Sequence, residues 1–307
     1  MNNPLVSVII PNYNHAKFLD ERILSVLNQT YQNFEIIILD DRSTDNSVDV
    51  INKYKDDSRV SYVVVNSENS GSTFKQWHKG FELSKGEIVW VAESDDSCDN
   101  QFLEFLVSGY VANNAVLAFC RSSQYDTAGN KKHWPLQDKL VGDKSMSGFD
   151  FISKYMVAGN IISNASSAIF SRSVAISIDR QYMKMRGEGD LLFWIELMER
   201  GNVYFCDKEL NLFRFHASNT TSSLTFKGVN PLEHKIVFDY LVKQKHLVGL
   251  RKIKERWFCI RYFFGLDYES KAIKKKIVKT WDPYGFFSVY YFFARLKGTM
   301  FKRMGWS

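Results

Sequence analysis

Residues 6–47 read VSVIIPNYNHAKFLDERILSVLNQTYQNFEIIILDDRSTDNS. VSVII at 6–10 and EIIIL at 35–39 are short, unbroken β-branched runs, and the stretch 17–28 between them spaces its apolar residues for a helix. Continuous apolar runs suit strands covered on both faces, as in a parallel sheet. The rhythm continues outward from this stretch. Ser43-Thr44-Asp45 supplies N-cap chemistry and predicts a helix beginning near Ser43. VSYVVV at 60–65 predicts a third strand, 73–84 a third helix and EIVWVA at 87–92 a fourth strand. The expected fold class is α/β, a mostly parallel sheet flanked by helices.

Beyond residue 110 the pattern loosens into an apolar strand AVLAFC at 115–120, a polar stretch at 122–144 and a helix-like segment at 149–155. From about 230 the chain is helical, basic and aromatic, without repeats. Three segments are expected: an α/β half at 1–110, a second half at 111–228 and a helical C-terminal region at 229–307. The four cysteines, Cys98, Cys120, Cys206 and Cys259, form no CxxC pair, which argues against a zinc ribbon or a disulfide framework and for a reducing compartment. The first residues lack a basic leader, and no uncharged apolar segment approaches the roughly 20 residues of a membrane span, so a cytoplasmic protein is expected. Charge is uneven, because positions 243–307 hold 16 Lys and Arg against Glu255, Asp267, Glu269 and Asp282, while the remainder is net acidic.

In open α/β sheets ligands bind beyond the carboxyl ends of the strands. Those ends are Pro11 to Asn14, Asp40-Asp41, Asn66 to Gly71, and Glu93-Ser94-Asp95-Asp96. Two of the four are acidic. Unpaired like charges raise one another's pKa, so a cation is expected to join them. Hard divalent ions such as Mg2+ or Mn2+, bound by one or two carboxylates plus a diphosphate, suit this chemistry.

The stretch quoted above and NSGSTFKQWHKGFELSKGEIVWVAESDD at 69–96 resemble the family 2 glycosyltransferases of GT-A fold, and GEGDLLFWIELMERG and FRFHASN continue the likeness. The resemblance implies an inverting, metal-assisted transfer from a nucleotide-sugar, a UDP-sugar above all. The acceptor is a hydroxyl of a glycan or lipid-linked molecule, as in cell-surface polysaccharide or glycolipid synthesis. Carried over position by position, Pro11 and Tyr13 line the base pocket, Asp41 contacts base or ribose, and Asp40 assists it. Glu93 stands where the family's DxD motif has its first Asp, Asp95 stands at the second, and Ser94 lies between them. Asp95 and the adjacent Asp96 are the metal ligands. Lys75 falls near a basic donor-binding position. Asp190 aligns with the general base, with Glu188 displaced by one residue, and His216 matches a position near the diphosphate or metal.

Plainer readings stand beside these. Asp41, Asp95 and Asp96 could cap helices. Asp190 could be a solvated acid on an amphipathic helix, His216 a structural histidine and Lys75 a solvated cation. Asn69 and Gly71 could only shape a turn. Trp77 and Trp90 read as core. A nucleotidyltransferase would carry a Gly-rich basic loop after its first strand, and a dehydrogenase a GxGxxG; neither is present. An inactive nucleotide- or lipid-binding scaffold remains the alternative from a different class.

The tail carries a further expectation. Basic residues crowd 251–261 and 271–279, followed by Trp281, Tyr284, Phe286, Phe287, Tyr290, Tyr291, Phe292 and Phe293. Cations and interfacial aromatics together predict contact with an anionic membrane surface, peripherally on its inner face, rather than with nucleic acid; a packed helical bundle with solvated lysines is the plainer alternative.

Overall fold

A computed structural model describes residues 3–126, 129–132, 135–215 and 220–286. The chain divides into two compact units, Met1–Lys184 with Gly189–Ser218, and Met185–Glu188 with Asn219–Ser307.

The first unit opens with β1 (Val6–Asn12), α1 (Ala16–Leu27), β2 (Phe34–Asp40), α2 (Ser47–Asn52), β3 (Val60–Val65), α3 (Thr73–Leu83) and β4 (Ile88–Val91). Every residue of β1, β2 and β4 is buried, as their unbroken apolar runs require. In β3 half-buried and exposed residues alternate, which suits its place at the sheet edge. Then come β5 (Ser97–Cys98), α4 (Phe102–Ala112), β6 (Ala115–Asp126), β7 (Lys131–Lys132), β8 (Lys144–Ser147), α5 (Gly148–Phe151), β9 (Ala168–Ser171), α6 (Arg172–Ser177), α7 (Gly189–Met198) and β10 (Asn202–Phe215).

The strands form one sheet in the order β3-β2-β1-β4-β9-β6-β10-β5, with β7 on β6 and β8 on β10. The first four strands pair in parallel, and so do β6 and β10, while β9 runs antiparallel between β4 and β6. Both halves expected from the sequence thus contribute strands to the same sheet. Asn12 lies opposite Asp40, and Ile9 opposite both Ile37 and Val91, so the carboxyl ends of β1, β2 and β4 emerge together. Helix α3 crosses β1 closely, because a Cβ on Gly80 would come within 2.5 Å of Ile9. In the core Trp90 stacks on Phe102 with ring centroids 4.4 Å apart.

The helix expected from Ser43 begins four residues later, at Ser47. Ser43 and Thr44 are drawn into loop contacts instead: Ser43 donates to Asp40, and the Thr44 amide donates to Asn14. The cap-like role falls to Asp45, which accepts from the Ser47 amide at 3.0 Å.

The second unit holds α8 (Thr220–Phe226), α9 (Val229–Lys243), α10 (Gly249–Gly265) and α11 (Lys271–Trp281). Trp281 is its centre. The indole is fully buried, donates to the Pro231 carbonyl at 2.8 Å, and packs against Phe238 and Phe263, each at 5.5 Å. This corrects the expectation that Trp281 belongs to an interfacial aromatic row: its N–H finds an acceptor inside the bundle, and its ring fills the core. Tyr284 and Phe286 are exposed, while Phe287, Tyr290, Tyr291, Phe292 and Phe293 lie outside the described residues. Among the described residues no helix is long and apolar enough to cross a membrane.

Candidate active site

The loops at the carboxyl ends of β1, β2 and β4 are fastened by acids. Asp40 is fully buried; one carboxylate oxygen accepts from Asn12 Nδ2 (2.7 Å) and Ser43 Oγ (2.6 Å), and the other from the Ser43 amide (2.8 Å). Asp41 reaches the opposite way. Its Oδ1 accepts from Asn66 Nδ2 (2.7 Å), the Ser70 amide (2.8 Å) and Gln76 Nε2 (2.9 Å), and its Oδ2 from Ser70 Oγ (2.8 Å). These partners tie β2 to the loop before α3, and neither acid caps α2. In that loop Gly71 takes a positive φ of 67° while its amide donates to Asn69, an arrangement that shapes a tight turn. Lys75 is exposed, and its ammonium donates to the Ser70 carbonyl at 3.2 Å. Pro11 is buried in β1, whereas Tyr13, two residues on, is 47% exposed.

Glu93, Ser94, Asp95 and Asp96 follow β4 directly. Glu93 Oε1 accepts from the Trp77 indole at 2.8 Å, and its main-chain oxygen from Arg22 Nε at 2.9 Å. Ser94 Oγ pairs with His15 Nδ1 at 2.8 Å. Asp96 is almost fully buried: Oδ2 accepts from Ser166 Oγ (2.7 Å) and from Asn164 Nδ2, and Oδ1 from the Arg214 amide (3.1 Å). Asp95 is half-buried, and its carbonyl accepts from Arg214 Nε at 3.1 Å.

The electrostatics of this loop are out of balance. Burial, and then the charge of Asp95, push Glu93 up to about 8 and Asp96 up to about 7. The opposing cation is Arg22, fully buried, with its guanidinium 4.0 Å from Asp96 Oδ2. The second nearby guanidinium, Arg214, is paired with Glu21, so Arg22 alone does not offset three ionised acids, and Glu93 and Asp96 hold their protons into the neutral range. Among the described residues no group of three or more His, Cys, Asp and Glu is placed to hold a metal alone. Carboxylate oxygens are hard donors of the kind a divalent cation takes one or two of, completing its shell from a ligand such as a diphosphate.

Asp190 lies in the first turn of α7, where an anion faces the positive end of the helix. Asn160 Nδ2 donates to its Oδ2 at 2.8 Å. Glu188 belongs to the helical unit, where its carboxylate meets His234 Nδ1 at 3.2 Å. His216 lies outside the described residues.

Several residues that build this arrangement carry no signal in the sequence pattern. Arg22 sits within an ordinary helical stretch, and Asn160, Asn164, Ser166 and Arg214 are far from the acidic motif in the chain. Trp77 was legible as core, and it is buried, but its indole N–H also fixes Glu93.

Comparison with known proteins gives a consistent picture. The model of the glycosyl transferase family 2 matches residues 7–178. An uncharacterized glycosyltransferase of Haemophilus influenzae is 35% identical over 131 residues, 43% of this chain, and the match spans about half (52%) of that relative's length. A putative teichuronic acid biosynthesis glycosyltransferase of Bacillus subtilis is 28% identical over 276 residues, covering 89% of this chain and 98% of the relative. Among solved structures, S. aureus TarS in complex with UDP-GlcNAc aligns over 90% of this chain and 79% of its own, with TM-score 0.67 and 16% identity. A Pyrobaculum calidifontis mannosyltransferase in complex with GDP-Man and Mn2+ aligns over 97% and 81%, with TM-score 0.58 and 13% identity. At these identities the structural matches establish a shared fold.

Proposed function

The chain belongs to the family 2 glycosyltransferases, and from that membership we propose that it moves a sugar from a nucleotide-sugar, a UDP-sugar, to a hydroxyl of a glycan or lipid-linked acceptor, by single displacement with inversion. Cell-surface polysaccharide or glycolipid synthesis is the proposed setting, by analogy with the Bacillus relative. The observation that carries the reading is the loop Glu93 to Asp96 at the carboxyl end of β4, where three acids crowd the buried Arg22 and Glu93 and Asp96 keep protons that a bound cation would displace.

In this reading residues 1–110 hold the donor, 111–228 receive the acceptor and supply the base, and 229–307 rest against an anionic membrane. Tyr13 and Pro11 flank the nucleobase, while Asp40 and Asp41 hold the loops around base and ribose in place. Lys75, Glu93 and Ser94 border the donor's phosphates. Asp95 takes the direct metal contact with Asp96 beside it, the latter's oxygens also accepting hydrogen bonds that hold the loop; His216 is the third proposed metal ligand. Mn2+ or Mg2+ bound there would offset the charge on the departing diphosphate. Asp190 accepts the proton of the attacking hydroxyl, with Asn160 orienting its carboxylate.

A panel of UDP-, GDP- and dTDP-sugars, assayed with chelator and with Mn2+ or Mg2+ restored, tests the reading. Turnover should vanish with chelator and return with metal. Asp95→Asn should lose metal-dependent donor binding, and Asp190→Asn should lower turnover by about 10²- to 10⁴-fold at nearly unchanged donor affinity. Full activity in chelator would remove the metal, near-normal Asp190→Asn turnover would move the base elsewhere, and no turnover of any donor would leave a binding scaffold.

A further inference from the structure

A short segment before β9 touches both the acidic loop and Asp190, and all of these residues lie in the first unit. At its start Asn160 donates to Asp190 Oδ2 at 2.8 Å. At its end Ser166, fully buried, meets the end of β4 and the loop after it at three points. Its hydroxyl accepts from the Glu93 amide at 3.0 Å and donates to Asp96 Oδ2 at 2.7 Å, and its carbonyl accepts from the Trp90 indole at 2.9 Å. Asn164 adds a fourth contact, donating through Nδ2 to the same Asp96 oxygen.

The stretch between these grips is fixed in its turn. Ile161 and Ile162 are buried, and Asn211, fully buried on β10, donates from Nδ2 to Asn164 Oδ1 and to Ser122 Oγ, each at 2.8 Å. A serine hydroxyl is a donor and an acceptor together, so Ser166 serves an amide and a carboxylate at once, which alanine cannot do. Neither Asn164 nor Ser166 carries a charge. What they supply to Asp96 is therefore orientation and not neutralisation, as expected of groups standing behind a metal-binding carboxylate.

We propose that Asn164 and Ser166 are positioning residues, and that the segment 160–166 acts as a strap that sets the acidic loop and Asp190 in place relative to one another. The inference rests on the readings of Asp95 and Asp96 as metal ligands and of Asp190 as the general base. A reacting group displaced by about 1 Å costs on the order of 100-fold in rate, so two groups at the ends of different elements need a common mount.

The test uses the full chain with Ser166→Ala, Asn164→Ala and Asn160→Ala. Binding of Mn2+ in the presence of UDP, read from the paramagnetic resonance signal of the free ion, should weaken by about 10-fold or more in Ser166→Ala and Asn164→Ala and stay within about twofold in Asn160→Ala. With the donor that the sugar panel identifies, turnover should fall by about 10- to 100-fold in all three. Because one strap carries both grips, Asn160→Ala/Ser166→Ala should lose less than the product of the two single losses. If Ser166→Ala does not fold, Asn164→Ala, at a half-buried position, carries the same comparisons. Wild-type Mn2+ binding in the folded variants of Asn164 and Ser166 overturns the positioning role, and losses that multiply in the double variant overturn the strap. Failure of the underlying readings shows without any change to the strap: full turnover of the wild type in chelator removes the metal, and normal turnover of Asp190→Asn removes the base.

Discussion

Arg22 is a guanidinium wholly removed from water among three acids. Its Nε holds the Glu93 carbonyl, its plane lies over Trp90 with 5.7 Å to the ring centroid, and its charge stands 4.0 Å from Asp96. Among the described residues Nη1 and Nη2 have no hydrogen-bond partner, so Arg22 acts there as a charge more than as a donor. Removing one member of a buried pair strands the other, at a cost of about 3–5 kcal/mol. Arg22→Met, which keeps the apolar stem, should lower stability by about that amount in urea denaturation at neutral pH; a loss under about 1 kcal/mol would mean that Ser166, Asn164 and the Arg214 amide sustain Asp96 without a counter-charge. This residue was invisible to the sequence reading because a single Arg in an amphipathic helix looks solvated. The acids it serves were visible, because carboxylates at successive strand ends are conspicuous by type and position. Their individual duties were not, since Asp40, Asp41 and Asp96 differ from Asp95 only in which distant amides and hydroxyls reach them.

At the scale of elements, β1 to β4 and the helices between them were legible because burial on both faces writes an unbroken apolar run. The antiparallel β9 was not, since AIFS at 168–171 is four residues long and its direction depends on the path of the chain between β8 and β9. The start of α2 misled because Ser and Asp serve loops and caps with the same chemistry. In the helical unit the grip on Glu188 has a pH signature. Burial opposes charging His234, but Glu188 and the Cys259 contact outweigh it and raise its pKa to about 10. A group raised above its unfolded value of about 6.5 gives its full stabilisation below that pH and loses it as pH climbs through the folded value. Thermal melts should therefore show stability falling between about pH 7 and 10 by more in the wild type than in His234→Gln. Parallel profiles for the two proteins would show that the ion pair contributes nothing to folding.

At the scale of the whole molecule, the membrane contact proposed for the basic tail has one candidate face among the described helices. On α10, Cys259, Ile260, Phe263 and Phe264 are buried, while Leu250 (85%), Ile253 (53%), Phe258 (57%) and Tyr262 (56%) are exposed among Arg251, Lys252, Lys254 and Arg261. A helix with apolar and basic residues mixed on its outer side matches an anionic interface, where each cation near the surface adds about 1 kcal/mol. Burial of Trp281 removes one aromatic from the expected row and shifts the argument to α10. Truncation after Gln244 is a poor test, because it deletes Phe263 and Trp281 from the bundle that α9 packs in. Point variants keep that core. Full-length protein should sediment with phosphatidylglycerol-containing vesicles at low salt, weakly with phosphatidylcholine alone, and Leu250→Ser/Ile253→Ser/Phe258→Ser should lose most of that binding without losing donor turnover in solution. If anionic lipid and low salt leave sedimentation of the full chain unchanged, the membrane contact is wrong and the exposed face of α10 serves some other purpose.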